Sequence, residues 1–318
     1  MNRISTTCKA LLTLAIAALT AQTAQAQYTM HGRVSYDAGG TLIRGAQDAE
    51  WTHASVNTLV LPGDTLMVDQ GGVTELEMAG GAFLRMADQS KAEIVALPPN
   101  ATVRAWKGSF YVQRLSRSNG TFVLEAPACT IEVEKDAQVR VDVVGEGTTI
   151  VSTRWGRATV RTATGGATFV HSGRRIYVDP GLLPSTPAPF DRTEEDAFDQ
   201  WNRSQAEFLA KGQDPIPPAG QIHEPPIGVT DLGRYGEWVY VDQRPYWRPT
   251  IVTEYVPYRY GHWSYTPTIG HSWTGYYPFS YVTSHYGDWR YDTQHGWLWS
   301  YYHEWAPAWC ATVRYDDY

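Results

Sequence analysis

One hexapeptide pattern occurs three times near the C-terminal end of this chain, as Tyr235-Gly236-Glu237-Trp238-Val239-Tyr240, Tyr260-Gly261-His262-Trp263-Ser264-Tyr265 and Tyr286-Gly287-Asp288-Trp289-Arg290-Tyr291. The copies begin 25 and 26 residues apart, and a second Trp follows the first by 9 or 10 residues in each, as Trp247, Trp273 and Trp299. Successive side chains of a strand point to opposite faces, so the alternation within Y-G-x-W-x-Y puts the Trp of each copy on one face of a strand. Turn residues such as Thr293 to Gly296 then return the chain as a hairpin. A two-stranded unit cannot bury its rings alone, so the three copies are expected to stack on one another. From Arg234 onward the chain holds 9 of its 13 Trp and 16 of its 20 Tyr, whereas its Leu and Ile there are Ile251, Ile269 and Leu298. Rings must therefore build the core, and Trp238, Trp263 and Trp289 are the expected core positions.

The N-terminus carries Arg3 and Lys9 without an acid, an apolar run from Ala10 to Ala21, and Ala24-Gln25-Ala26. This is the pattern of a secretory signal peptide over residues 1–26 cleaved after Ala26, with an apolar run too short to span a bilayer. A periplasmic or secreted mature chain follows. It has no further apolar stretch of membrane-spanning length. Its 26 basic and 33 acidic residues become 24 and 33 on cleavage, a net −9. No Lys/Arg cluster provides the basic footprint that nucleic-acid binding needs. Cys129 and Cys310 remain, and an oxidising compartment permits a bond between them only if their Cα atoms come within about 7 Å.

Residues 57–181 read as a β-domain. Short alternating runs such as Val139-Arg140-Val141-Asp142-Val143, Arg157 to Arg161 and Arg174 to Val178 are cut by Gly, Asn and Asp, and helical periodicity is missing. Many short strands mean a mainly β fold, a sandwich, barrel or rolled repeat. Residues 182–230 form a linker framed by proline, with Pro184, Pro187 and Pro189 before, and Pro215, Pro217, Pro218, Pro225 and Pro226 after, one predicted helix at about 193–211. Thr193 with Asp196 reads as its capping start, and Phe198, Trp201, Phe208 and Leu209 as its docking stripe. The aromatic repeat domain fills 231–318.

Leu61-Pro62-Gly63-Asp64-Thr65-Leu66, Val73-Thr74-Glu75-Leu76-Glu77, Phe83 to Ser90, Trp106 to Phe110 and Phe122 to Val143 resemble the core of a FecR-like domain, covering about residues 57 to 181. Ala126-Pro127 replaces the family's usual Thr-Pro, and Lys135-Asp136-Ala137 stands at its Arg-Gly-Thr-like turn. From Asp231 on, Asp231-Leu232-Gly233-Arg234-Tyr235-Gly236-Glu237-Trp238 and Trp305-Ala306-Pro307-Ala308-Trp309 resemble the Trp-rich domain of unknown function that often follows a FecR-like domain in proteobacterial envelope proteins. The resemblance implies an architecture and a compartment. A FecR relays a signal through a transmembrane helix and a cytoplasmic part, neither of which this sequence shows, so direct control of a σ factor is not expected.

Catalytic signatures are missing: no G-x-S-x-G elbow occurs, and Gly71-Gly72 and Gly80-Gly81 lack the strand-to-helix setting of a phosphate loop. His262, His271, His285, His295 and His303 have no metal-ligand spacing and read as turn or surface histidines. A non-enzymatic protein without metal or cofactor is expected, acting in envelope signalling or assembly with the FecR-like part touching an envelope protein. Two alternatives stand beside it, an enzyme of unknown type and a module that binds cell-wall glycan or peptidoglycan through exposed rings. Its candidate contacts are the adjacent pairs Tyr276, Tyr277 and Tyr301, Tyr302, of which one member each should face outward, together with Trp247, Trp273, Trp297 and Trp299.

Overall fold

The structure, a computed structural model, describes residues 31–211, 225–302 and 304–310. The signal peptide with Ala26, the linker residues Pro215, Pro217 and Pro218, and His303 lie outside the described residues. The fold is mainly β. Seventeen strands make the first unit: β1 Gly32–Asp37, β2 Thr41–Arg44, β3 Thr52–His53, β4 Leu59–Val60, β5 Thr65–Val68, β6 Thr74–Met78, β7 Ala82–Met86, β8 Lys91–Ala96 and β9 Asn100–Arg114. They continue as β10 Thr121–Glu125, β11 Thr130–Val133, β12 Ala137–Val144, β13 Thr148–Trp155, β14 Arg157–Arg161, β15 Ala167–His171, β16 Arg174–Val178 and β17 Ala188–Pro189.

Strand β9 organises the unit because it belongs to two sheets. Its first half pairs with β8 and, in parallel, with β10; its second half pairs with β7 and β12. One sheet therefore runs β3-β2-β5-β8-β9-β10-β11-β14-β15 and the other β4-β1-β6-β7-β9-β12-β13-β16-β17. The crossing falls at Gly108, whose φ of +99° suits glycine and whose Cβ, if present, would lie 2.2 Å from Ser90 Oγ. Alternating residues of both sheets, among them Leu66, Ile94, Val103, Val139, Val141, Val151, Val160 and Ile176, close over one buried core.

The sandwich starts at Gly32, ahead of the expected start at Asn57. The signal in β1 is hidden because Arg33 occupies a buried position, neutralised only by residues distant in sequence. The first proline cluster is likewise less of a spacer than expected: Ala188–Pro189 pairs with β16, and the Phe190 N–H donates to the Gly173 carbonyl.

Helix α1, Ala197–Lys211, begins later than the predicted 193, and its cap differs from the expected one. Asp196 and Asp199 cap reciprocally, each backbone N–H donating to the other's carboxylate at 3.2 and 2.8 Å, while Thr193 donates to Asp191. Asp199 also receives Arg140 at 2.9 Å, Arg154 at 2.7 Å and the Tyr111 hydroxyl. Burial alone would raise its carboxyl, but the Tyr111 hydrogen bond and the Arg140 charge reverse this and hold it at about 2. Phe198 packs on Tyr111 and Trp201, and Leu209 on Phe83 and Leu115.

A second buried polar seam joins the sandwich to the C-terminal unit. Arg33 donates to Glu77 at 2.7 and 3.0 Å, to Asp231, to Asn57 Oδ1 at 2.8 Å and to the Pro278 carbonyl at 3.1 Å. Asn57 in turn donates to the carbonyls of Gly275 and Tyr277 at 2.8 and 2.7 Å, and the Gly228 N–H donates to Glu77. No helix among the described residues is long and apolar enough to cross a membrane.

Candidate functional site

The C-terminal unit opens with helix α2, Val229–Tyr235, and places each sequence repeat on one hairpin. The first is β18 Gly236–Val241 with β19 Arg244–Pro249, the second β20 Gly261–Thr266 with β21 Gly270–Gly275, and the third β22 Asp288–Asp292 with β23 Gly296–Ser300. Helix α3, Ser280–His285, lies between the second and third. The two Trp of each copy sit directly opposite across their hairpin: Trp238 with Trp247, Trp263 with Trp273, Trp289 with Trp299. That register explains the spacing of 9 or 10. It also explains the glycine of the first two copies, since a Cβ on Gly236 would lie 2.2 Å from the Trp247 ring and one on Gly261 2.6 Å from the Trp273 ring, while Gly287 of the third has a φ of +109° and abuts the Ser300 carbonyl.

The copies do not stack as three equals. Hairpins one and three join through their second strands, with Trp247 opposite Trp299, in a four-stranded sheet ordered β18-β19-β23-β22. Trp238 packs on Trp299 at 6.2 Å and Trp289 on Trp247 at 6.3 Å between ring centroids, so the four indoles form a two-fold-like quartet. Hairpin two forms a sheet of its own.

This arrangement shifts the expected core without emptying it, since Trp238 and Trp289 still pack against the cluster that holds Trp247 and Trp299. Trp247 and Trp299 are fully buried because their strands are the inner pair of the sheet, and both are thereby withdrawn as ligand contacts. Trp238 and Trp289 lie half-buried on the outer strands. Trp263, expected inside, is 52% exposed, while its partner Trp273 is buried beneath Tyr258. Trp297 is half-buried and meets Tyr291 edge-on.

Of the tyrosine pairs, Tyr276 and Tyr302 are exposed. Tyr277 stacks on Phe279 at 5.4 Å, and Tyr301 stacks on Tyr286 at 6.5 Å. The two pairs follow different hairpins. More regular exposure falls on residues that sequence reasoning passed over, the closing Tyr of each repeat: Tyr240, Tyr265 and Tyr291 are 64%, 65% and 65% exposed. Period two places each on the face of its repeat Trp, two residues nearer the hairpin tip, which was the available signal.

His285 is a second correction. It is fully buried, its Nδ1 at 2.8 Å from the Ala306 carbonyl and its ring stacked on Trp305. His31, buried at the sandwich side of the same cluster, shares a hydrogen bond with the Tyr281 hydroxyl. His295 pairs with Asp292 in a turn, His262 lies against Tyr276, and His271 against Tyr265. Cys129 is buried, Cys310 exposed, and the two are unbonded.

Burial lowers His31 to about 3, helped by the nearby His285, and lowers His285 to about 4. Both imidazoles are neutral in the fold but protonate from 6.5 in the unfolded chain, so unfolding takes up protons as the pH falls from 6.5 towards 4. Stability held above 6.5 should drop by about 1.4 kcal/mol per pH unit for each histidine. Asp64, raised to about 6 by burial, acts oppositely over part of that window. Urea midpoints should therefore fall between about pH 7 and about pH 5, and His31→Gln with His285→Gln should abolish the fall. Equal midpoints in the unmodified protein would contradict this reading.

Residues 229–318 match a family described as a family of unknown function, DUF6600. The C-terminal unit is hereafter the DUF6600 domain. No curated protein matches the chain. Among solved structures, two described as a "putative anti-sigma factor from Parabacteroides distasonis ATCC 8503" are similar to it. The one at 1.65 Å resolution has 14% identity and a TM-score of 0.35, covering 40% of this chain and 60% of its own. The one at 2.50 Å has 11% identity and a TM-score of 0.37, covering 58% and 98%. The chain thus spans 60% of the length of the first.

Proposed function

We propose that this chain is a non-enzymatic interaction or scaffolding protein of the bacterial envelope, secreted by its N-terminal signal, in which a FecR-like sandwich carries a DUF6600 domain that meets a protein partner. The supporting observation is the middle hairpin. It lies outside the four-stranded sheet and displays Trp263 and Tyr265 on one face, with Tyr260 and Tyr276 also exposed nearby in sequence. Exposed Trp and Tyr clusters are costly to leave in water and are the side chains that most often anchor protein interfaces. This moves the partner contact from the sandwich to the DUF6600 domain. The sandwich holds that domain in a fixed orientation through Arg33 and Asn57.

A photo-crosslinking amino acid placed at Tyr265 should give a discrete protein adduct in envelope preparations, and Trp263→Ala should abolish it. The same probe at Tyr177 on the sandwich should give none. An adduct that survives Trp263→Ala, or that forms only from Tyr177, would return the contact to the sandwich.

A further inference from the structure

A cleft of about 650 Å³ separates the end of hairpin one from the tip of hairpin three. Its walls include Arg248, Glu254, Tyr255, Tyr291, His295 and Trp297. Tyr291 is largely exposed, with Trp297 edge-on to it at 5.6 Å, while Tyr255 closes the inner end against Trp289. Arg248 is held by Glu237 at 2.6 Å and His295 by Asp292 at 2.8 Å, so these two side chains are fixed in place. Glu254 differs: it makes no hydrogen bond or ion pair among the described residues, and its backbone sits at φ +56°, a conformation non-glycine residues adopt at a cost.

We propose that this cleft binds a neutral oligosaccharide. The walls point to that class: the exposed Tyr291 ring beside Trp297 offers an apolar face, and Glu254 as acceptor with Arg248 as donor suits hydroxyl groups, while the Glu237 pairing of Arg248 leaves an anion little to bind. A polyhydroxyl ligand can donate to the free Glu254 carboxylate and accept from Arg248 while laying the C–H face of a sugar ring on Tyr291. The volume falls within the usual ligand range of about 300 to 1,000 Å³ and exceeds a single sugar ring, which favours a short chain. The site is separate from the middle hairpin, so it goes beyond the proposed protein contact and does not depend on it.

The test uses the whole mature chain and calorimetric or ligand-observed NMR titration with the β-1,4-linked tetramers of N-acetylglucosamine and of glucose, with arginine ethyl ester and citrate as charged controls. At least one neutral tetramer should bind saturably. Tyr291→Ala, at an exposed position, should weaken that binding about three- to tenfold, the range expected for one lost ring contact. Glu254→Gln, which keeps the side-chain shape, should weaken it measurably as well, and Trp263→Ala should leave it unchanged. The proposal fails if neither tetramer binds, if only a charged control binds, or if binding is indifferent to both Tyr291→Ala and Glu254→Gln in variants whose circular dichroism is native.

Discussion

Arg33→Met should destabilise the protein by about 3–5 kcal/mol, the usual cost of removing one partner from a buried charge cluster. Arg33 is 1% exposed, and both of its carboxylate partners, Glu77 and Asp231, are buried too. Burial works against its charge, yet Asp231 and Glu77 outweigh burial and lift its pKa above the ordinary arginine value. Without the guanidinium, two carboxylates would face each other out of water, and the Asn57 and Pro278 oxygens would lose a donor. Arg33→Lys should recover part of the loss only, because an ammonium cannot present the planar fork that reaches all four acceptors. The cluster's members come from both units, with Glu77 and Asn57 in the sandwich and Asp231 and Pro278 in the DUF6600 domain. Arg33→Met should therefore also uncouple them, so that limited proteolysis releases the DUF6600 domain before the sandwich is cut. Urea denaturation measures the first effect. A loss below about 1 kcal/mol would mean that the two acids are relieved by protonation instead of being left charged.

What the sequence disclosed follows from whether a residue's environment is local. Strands such as Arg157–Arg161 and Arg174–Val178 were legible to the residue, and in the second the alternation reflects one face on the core and one away from it. Strand β1 was not, because Arg33 at a buried position is tolerable only next to Glu77 and Asp231, 44 and 198 residues away. The cap of α1 was misplaced for a similar reason: Thr193 looks like a cap, but Asp199 is fixed by Arg140, Arg154 and Tyr111 on the sandwich, and so takes the capping position with Asp196. In the candidate site, period two placed each repeat Trp on one face of its strand. It could not establish which strands become central, and the oligosaccharide cleft depends on that too, since it forms only where hairpins one and three meet.

The tryptophan pairs turn that distinction into the second large expected effect. Trp247→Ala or Trp299→Ala should cost about 3–5 kcal/mol, the range for truncating a large buried aromatic, since the cavity left in a quartet of rigid indoles cannot easily collapse. Trp247 carries an additional loss, as its indole N–H donates to the Leu232 carbonyl at 2.9 Å and its ring packs on Phe279 at 5.1 Å. Trp263→Ala occupies the equivalent place to Trp238 and Trp289 in the sequence repeat, yet should cost below about 1 kcal/mol, as expected of an exposed position. Thermal or urea unfolding followed by near-ultraviolet circular dichroism of the DUF6600 domain would read all three. If Trp263→Ala proved as damaging as Trp247→Ala, hairpin two would have to be packed like its neighbours, and its aromatic face would no longer be free for a partner. The contrast between chemically identical positions of one repeat thus tests the fold and the proposed contact together: hairpins one and three have used their rings to hold each other, and the middle hairpin has kept its first ring outside.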